Sequence, residues 1–79
     1  MERRHYIETK AEADAAPVKK VCGTAEEAVA YFKTAYQTLF KKGPSEPVQK
    51  DLCFAMISNE PYFCKDSETG ASILVKEAY

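Results

Sequence analysis

The stretch that decides the fold is GTAEEAVAYFKTAYQTLFKKGP, residues 23–44. Thr24 followed three residues later by Glu27 is a capping box, in which the hydroxyl and the carboxylate each accept from an unpaired amide of the first turn. Lys41 and Lys42 lie at the negative end of the helix dipole, and Gly43-Pro44 stops the helix. Apolar side chains recur between these signals at helical spacing: Ala25, Ala28, Val29, Phe32, Ala35, Tyr36, Leu39 and Phe40. The sequence therefore predicts an amphipathic first helix within residues 23–43.

Two further elements follow this helix. Residues 45–58 predict a second helix, with Pro47 in its first turn, where a missing amide does no harm. Its segment LCFAMI, residues 52–57, is apolar on nearly every side, so it is either deeply buried or partly exposed for a partner. Residues 61–78 then read as a strand, a turn and a strand, with Gly70 where a hairpin bulge requires a positive φ.

The N-terminal residues 1–22 predict one or two strands around an Ala-rich loop at residues 11–16. The whole chain, residues 1–79, is then a single α+β domain. We expect a small three- or four-stranded, mainly antiparallel sheet with two helices packed on one face, in the order ββααββ or βααββ. A sheet covered on one side leaves its other face and its edges available for binding. The predicted core is Ile7, Val21, Val29, Phe32, Tyr36, Leu39, Leu52, Ala55, Met56, Ile73 and Val75.

Composition and charge narrow the function classes. The chain is 46% hydrophobic and 29% charged, as folded proteins are, and its net charge of −1 provides no global attraction to nucleic acid or to an anionic membrane. No apolar run is long enough to span a bilayer. Three cysteines without a CxxC pair argue against a secreted disulfide scaffold and against a zinc knuckle. We therefore expect a cytoplasmic protein with no metal, no cofactor and no membrane contact.

Chemically reactive residues are few, and we assign no catalytic residue. Cys22 lies at a corner between a strand and the first helix, where we expect it to be a small packing residue. The dipole of that helix would lower the pKa of its thiol, so a thiol-dependent activity at Cys22 is one alternative function. The single histidine, His5, is the one candidate base of the usual kind. Cys53, inside the apolar helix, is expected to be buried.

Nucleic-acid binding is the second alternative. Three lysines could share a face near the end of the first helix, and an aromatic pair beside a lysine on the third strand resembles a base-stacking platform. The pI of about 5.8 argues against this function. The residues concerned are Lys33, Lys41 and Lys42 on the helix, and Tyr62 and Phe63 beside Lys65 on the strand.

The favoured interpretation is a protein-binding surface. Tyr31 and Phe54 fall outside the apolar stripes of their helices, and exposed aromatic side chains are common anchors of protein interfaces. Basic residues on the N-terminal strand, treated as a sheet edge, would limit casual strand pairing and could contact an acidic partner. The predicted partner-binding residues are Tyr31, Phe54, Arg3, Arg4, Lys41 and Lys42.

The function predicted from these observations is a non-enzymatic module that binds a larger protein or complex stoichiometrically, as an inhibitor, an adaptor or a small subunit. Domains of this size without chemistry are frequent among phage and mobile-element proteins that block host defence, such as anti-CRISPR proteins acting in the host cytoplasm. This last step is an analogy of size class. Homodimerisation is compatible with every one of these functions.

Overall fold

The computed structural model describes residues 4–78, which form two helices and one four-stranded antiparallel sheet with the strand order β2-β1-β4-β3. This is the predicted α+β architecture in its ββααββ form. The elements are β1 (Arg4–Lys10), β2 (Val18–Cys22), α1 (Ala25–Phe40), α2 (Glu46–Ile57), β3 (Tyr62–Lys65) and β4 (Ser72–Ala78).

Both helices cover the same face of the sheet. Ile7 and Val75 are directly opposite each other on the two central strands, both are buried, and α1 packs across these strands with Phe32 fully buried beneath it. The smallest dimension of the molecule, 18 Å, corresponds to one sheet and one helix layer. Because strand side chains alternate, the other face carries the intervening residues. We call it the open face; its residues are Arg4, Tyr6, Glu8, Lys10, Lys19, Val21, Phe63, Lys65, Ser72, Leu74, Lys76 and Ala78.

The predicted capping box fixes the start of α1. The Glu27 amide donates to Thr24 Oγ1 at 3.1 Å, and the Glu27 carboxylate accepts from the Gly23 amide at 3.3 Å. At the other end, Lys41 adopts the left-handed conformation with φ 64°, and its amide donates to the Gln37 carbonyl. The left-handed residue that ends α1 is therefore a lysine, and Gly43 follows it in the connection to α2.

One predicted core residue is on the wrong face. Val21 is 53% exposed on the open face, whereas its neighbour Cys22 is buried beneath the helices, opposite His5 of β1. A shift of one residue reverses every side chain of a strand. The segment VKKVC of β2 has its valines three residues apart, so its pattern does not show which side is buried.

The position of β1 also differs from expectation. It is a central strand, paired with β2 on one side and with β4 on the other, so Arg4 and Lys10 do not protect a sheet edge. The outer strands are β2 and β3. Lysines occupy both of these outer strands, with Lys19 and Lys20 on β2 and Lys65 on β3, which disfavours pairing with another chain.

The turn between β3 and β4 contains the predicted glycine with a positive φ. Gly70 has φ 79°, and its amide donates to the Asp66 carbonyl at 2.9 Å. The Asp66 carboxylate accepts from the Glu68 amide and from the Thr69 hydroxyl, so it organises the turn. Gly70 also approaches Ala13 in the β1–β2 loop closely, which brings the two connections at this end of the sheet together.

Candidate binding surfaces

The most exposed large apolar side chains lie on α2. Phe54 is 75% exposed and Ile57 is 78% exposed, and both point away from the sheet. Their separation of three residues places them side by side on the helix. We call this surface the α2 outer face; its residues are Glu46, Lys50, Cys53, Phe54 and Ile57.

The position of α2 explains this exposure. With 100° between successive residues, Leu52 faces the core and is buried, while Val48, Ala55 and Met56 beside it are partly buried. A helix that lies on one face of a sheet with solvent behind it can bury one side only. The apolar run of residues 52–57 therefore leaves Phe54 and Ile57 in water. Each forgoes a stabilisation of about 1.5–3 kcal/mol that full burial would provide.

The structure does not bring the other predicted anchor, Tyr31, to this surface. Tyr31 is half-buried, packs against the core, and lies beside Lys20 and Cys22 near β2. In contrast, α2 contacts β3, the strand at the opposite edge of the sheet. Three strand spacings separate these edges, about 14 Å. Tyr31 and Phe54 therefore belong to different surfaces.

The predicted basic contacts are also dispersed. Arg4 is exposed at the start of β1, and Arg3 lies outside the described residues. Lys41 ends α1, while Lys42 lines a groove between the end of α1 and the β3–β4 turn. Lys33 lies eight residues before Lys41 on α1, about 12 Å away along the axis. No single patch unites these lysines.

The groove beside Lys42 is lined by several ionisable side chains. Its walls include Tyr36, Phe40 and Cys64, and its acidic end is formed by Asp66 and Glu68. Burial raises the pKa of the Cys64 thiol, and burial likewise raises the pKa of Tyr36. Asp66 already holds the turn through its carboxylate. The raised pKa values keep the thiol and the phenol protonated at neutral pH.

Strand alternation separates the predicted aromatic pair of β3. Tyr62 faces the helices, where its ring centroid lies 6.1 Å from that of Phe32, while Phe63 is 58% exposed on the open face. The prediction that Tyr62 and Phe63 together form a stacking platform is therefore wrong. Phe63 instead shares the open face with Lys65 of the same strand and with Leu74 of β4.

One of the two cysteines discussed above is in the environment that we expected, and the other is not. Cys22 is buried, and burial raises the pKa of its thiol, with Glu27 adding to the effect and Lys20 opposing it. The predicted lowering by the helix dipole is thus not found. Cys53, which we expected in the core, is exposed on the α2 outer face. The apolar run favoured burial of Cys53, but the period of α2 places it on the same side as Glu46 and Ile57.

Within residues 4–78, no group of three or more His, Cys, Asp or Glu side chains is placed to hold a metal ion. In the same part of the chain, neither helix has the length and apolar character needed to cross a membrane. No family model matches the chain, and no curated protein or solved structure is significantly similar to it.

Proposed function

We propose that this chain is a non-enzymatic protein-binding module that inserts the α2 outer face into an apolar groove of a larger protein. It acts stoichiometrically, as an inhibitor, an adaptor or a small subunit. The observation that carries the proposal is the exposure of Phe54 and Ile57, 75% and 78%, side by side on one helix. Aromatic and aliphatic anchors of this kind are the usual centre of a helix-in-groove interface.

The shape of the surface favours a concave partner over a second copy of the chain. The twelve residues of α2 form a helix about 18 Å long. Two such convex helices touching along a twofold axis would bury much less than the ~800 Å² per partner of a standard interface. A groove that surrounds the helix on three sides covers more of the same side chains.

Charged side chains lie on α2 beside the two apolar anchors, Phe54 and Ile57. Lys50 Nζ lies 3.2 Å from Glu46 Oε1, one turn before Phe54, and both side chains are largely exposed. This pair neutralises itself at the N-terminal half of the helix, and the exposed carboxylate of Asp51, three residues before Phe54, borders the apolar half. A polar end next to an apolar centre is the usual anatomy of an interface rim and core.

The thiol environments support the non-enzymatic part of the proposal. Nucleophilic catalysis by cysteine needs an accessible thiol of low pKa. Cys22 is buried with a raised pKa, and the Cys64 pKa is raised as well. The hypothesis that the partner belongs to a host defence system, as for anti-CRISPR proteins, rests on the analogy of size class alone.

Cys53 allows a direct test, because it is an exposed thiol within the proposed contact surface. In a Cys64→Ala background, a thiol-reactive photocrosslinker is attached to Cys53 and the protein is irradiated in a lysate of its native source. We expect one crosslinked protein that withstands high salt, because apolar contacts are not screened. Phe54→Ala/Ile57→Ala should abolish the crosslink, since each anchor contributes about 2 kcal/mol, or about 30-fold in affinity.

A matched control moves the crosslinker to α1, with Cys53→Ser and Lys33→Cys in the same background. Crosslinking of the same protein from both positions, or its persistence in Phe54→Ala/Ile57→Ala, would contradict the proposal. A crosslink to a second copy of the chain would replace the groove of a larger protein with a homodimer. The recombinant partner then allows the 1:1 stoichiometry to be checked by analytical ultracentrifugation.

A further inference from the structure

The open face of the sheet has a charge that the whole chain lacks. It carries five of the ten basic residues within residues 4–78, Arg4, Lys10, Lys19, Lys65 and Lys76, and one of the eleven acidic residues there, Glu8. The remainder of this part of the chain therefore has five basic and ten acidic residues. A near-neutral protein is thus divided into a cationic sheet face and an acidic remainder.

These cations form no ion pair with a carboxylate in the described part of the chain. Among residues 4–78, the structure contains one ion pair, between Lys50 and Glu46 on α2. The open-face lysines accordingly have no carboxylate of residues 4–78 within ion-pair distance. Lys76 instead places its Nζ 5.1 Å from the centroid of the Tyr6 ring, a cation–π contact that leaves its charge available to a ligand.

The centre of the same face is apolar and aromatic. Phe63 and Leu74 are directly opposite each other on β3 and β4, and Val21 and Tyr6 form the equivalent pair on β2 and β1. The Phe63 ring is 58% exposed, and no helix covers this side of the sheet. Lys65 and Lys19 lie at the two outer strands, on either side of this centre.

We infer that the open face binds single-stranded nucleic acid, with an unpaired base stacked on Phe63 and the backbone phosphates held by the surrounding cations. Aromatic rings on a sheet surrounded by lysines are the general chemistry of such sites. A duplex gains nothing from the Phe63 ring because its bases are already stacked. An acidic peptide without aromatic residues, such as polyglutamate, satisfies the cations but provides no flat ring for the aromatic centre. This site is separate from the α2 outer face and does not depend on the proposed function.

The test measures fluorescence anisotropy of a labelled oligothymidylate as the protein is added, over a series of salt concentrations. With one phosphate neutralised by each of five cations, log K should fall with log salt with a slope of about −3.5. The variant Lys19→Gln/Lys65→Gln/Lys76→Gln leaves two cations, so its slope should fall to about −1.4 and its affinity by at least about tenfold at low salt. The control Lys33→Gln/Lys41→Gln/Lys42→Gln makes the same change of net charge on the helix side and should bind nearly as the wild type does.

Phe63→Ala tests the stacking step separately. Its loss should be about 5- to 150-fold and nearly independent of salt, the range found for removing one stacking ring. Circular dichroism verifies that each variant is folded, and Phe54→Ala should leave oligothymidylate binding unchanged.

Four results would overturn the inference. They are no binding of oligothymidylate at low salt, equal losses in the two triple variants, binding of a DNA duplex as tight as that of the single strand, and binding of polyglutamate as tight as that of the oligonucleotide. The last result would assign the open face to an acidic protein surface instead.

Discussion

Replacing Gly70 by alanine probes the contact between the β3–β4 turn and the β1–β2 loop. The position has φ 79°, which costs a residue with a Cβ about 1–2 kcal/mol. The added Cβ would lie 2.6 Å from the Ala13 backbone nitrogen and 2.8 Å from the Ala13 Cβ. Because one of these atoms belongs to the backbone, the loop itself must move, which adds about 1–3 kcal/mol. The expected loss is therefore about 2–5 kcal/mol, a large part of the ~4–12 kcal/mol typical for a chain of this length.

Urea unfolding followed by circular dichroism measures this loss, and Gly43→Ala is the matched control. A Cβ at Gly43 meets no atom within 4 Å, and the backbone there does not have a positive φ. Gly43→Ala should thus be neutral or stabilising by up to about 1 kcal/mol. Combining Gly70→Ala with Ala13→Gly removes the overlap of the two Cβ atoms but not that with the backbone nitrogen, so the rescue should be partial. A loss below about 1 kcal/mol for Gly70→Ala, or additive effects of Gly70→Ala and Ala13→Gly with no rescue, would show that the two connections do not meet as described.

Two further predictions concern the thiols and the α1 cap. With a maleimide under native conditions, Cys53 should react first and Cys22 last, because Cys22 is buried and the pKa of its thiol is raised. Mass spectrometry of the digested protein gives the order of reaction. Faster reaction of Cys22 than of Cys53 would contradict the structure. Thr24→Ala removes the acceptor of the Glu27 amide and should lower the free energy of unfolding by about 1 kcal/mol. Thr24→Ser retains that acceptor and should restore most of the loss in the same urea titration.

The helices were predictable because their signals are local. The capping box at Thr24 and Glu27 is formed, and the apolar spacing that predicted Phe32 and Tyr36 in the core is matched by their burial. Leu52 is buried and Phe54 is exposed, as the period of α2 indicates. Local sequence determines these features, since the backbone atoms concerned are within one or two turns of each other.

The strands were less predictable because their environment depends on distant residues. Whether β1 is central or at an edge is decided by β4, which follows it by some sixty residues, and nothing within β1 indicates that pairing. The same dependence explains the misplacement of Val21: the register with β1 determines which side of β2 is buried, and a single-residue shift is enough to reverse it. The separation of Tyr62 from Phe63 is different, because neighbouring residues of any strand point to opposite faces.

The net charge shows that sequence-based prediction of function is limited in the same way, because the fold decides which charges lie together. A net charge of −1 argued against nucleic-acid binding, yet a ligand responds to the potential where it binds and not to a sum over the whole surface. At physiological ionic strength charges are screened over about 8 Å. The molecule is 18 Å thick, so the carboxylates on the outer sides of the helices lie beyond this distance from a ligand on the open face. At low salt screening is weaker, and the acidic residues outside the open face then offset part of the attraction. The five cations of the open face should consequently attract phosphate despite the balanced composition, because the fold separates in space the charges that the sequence mixes.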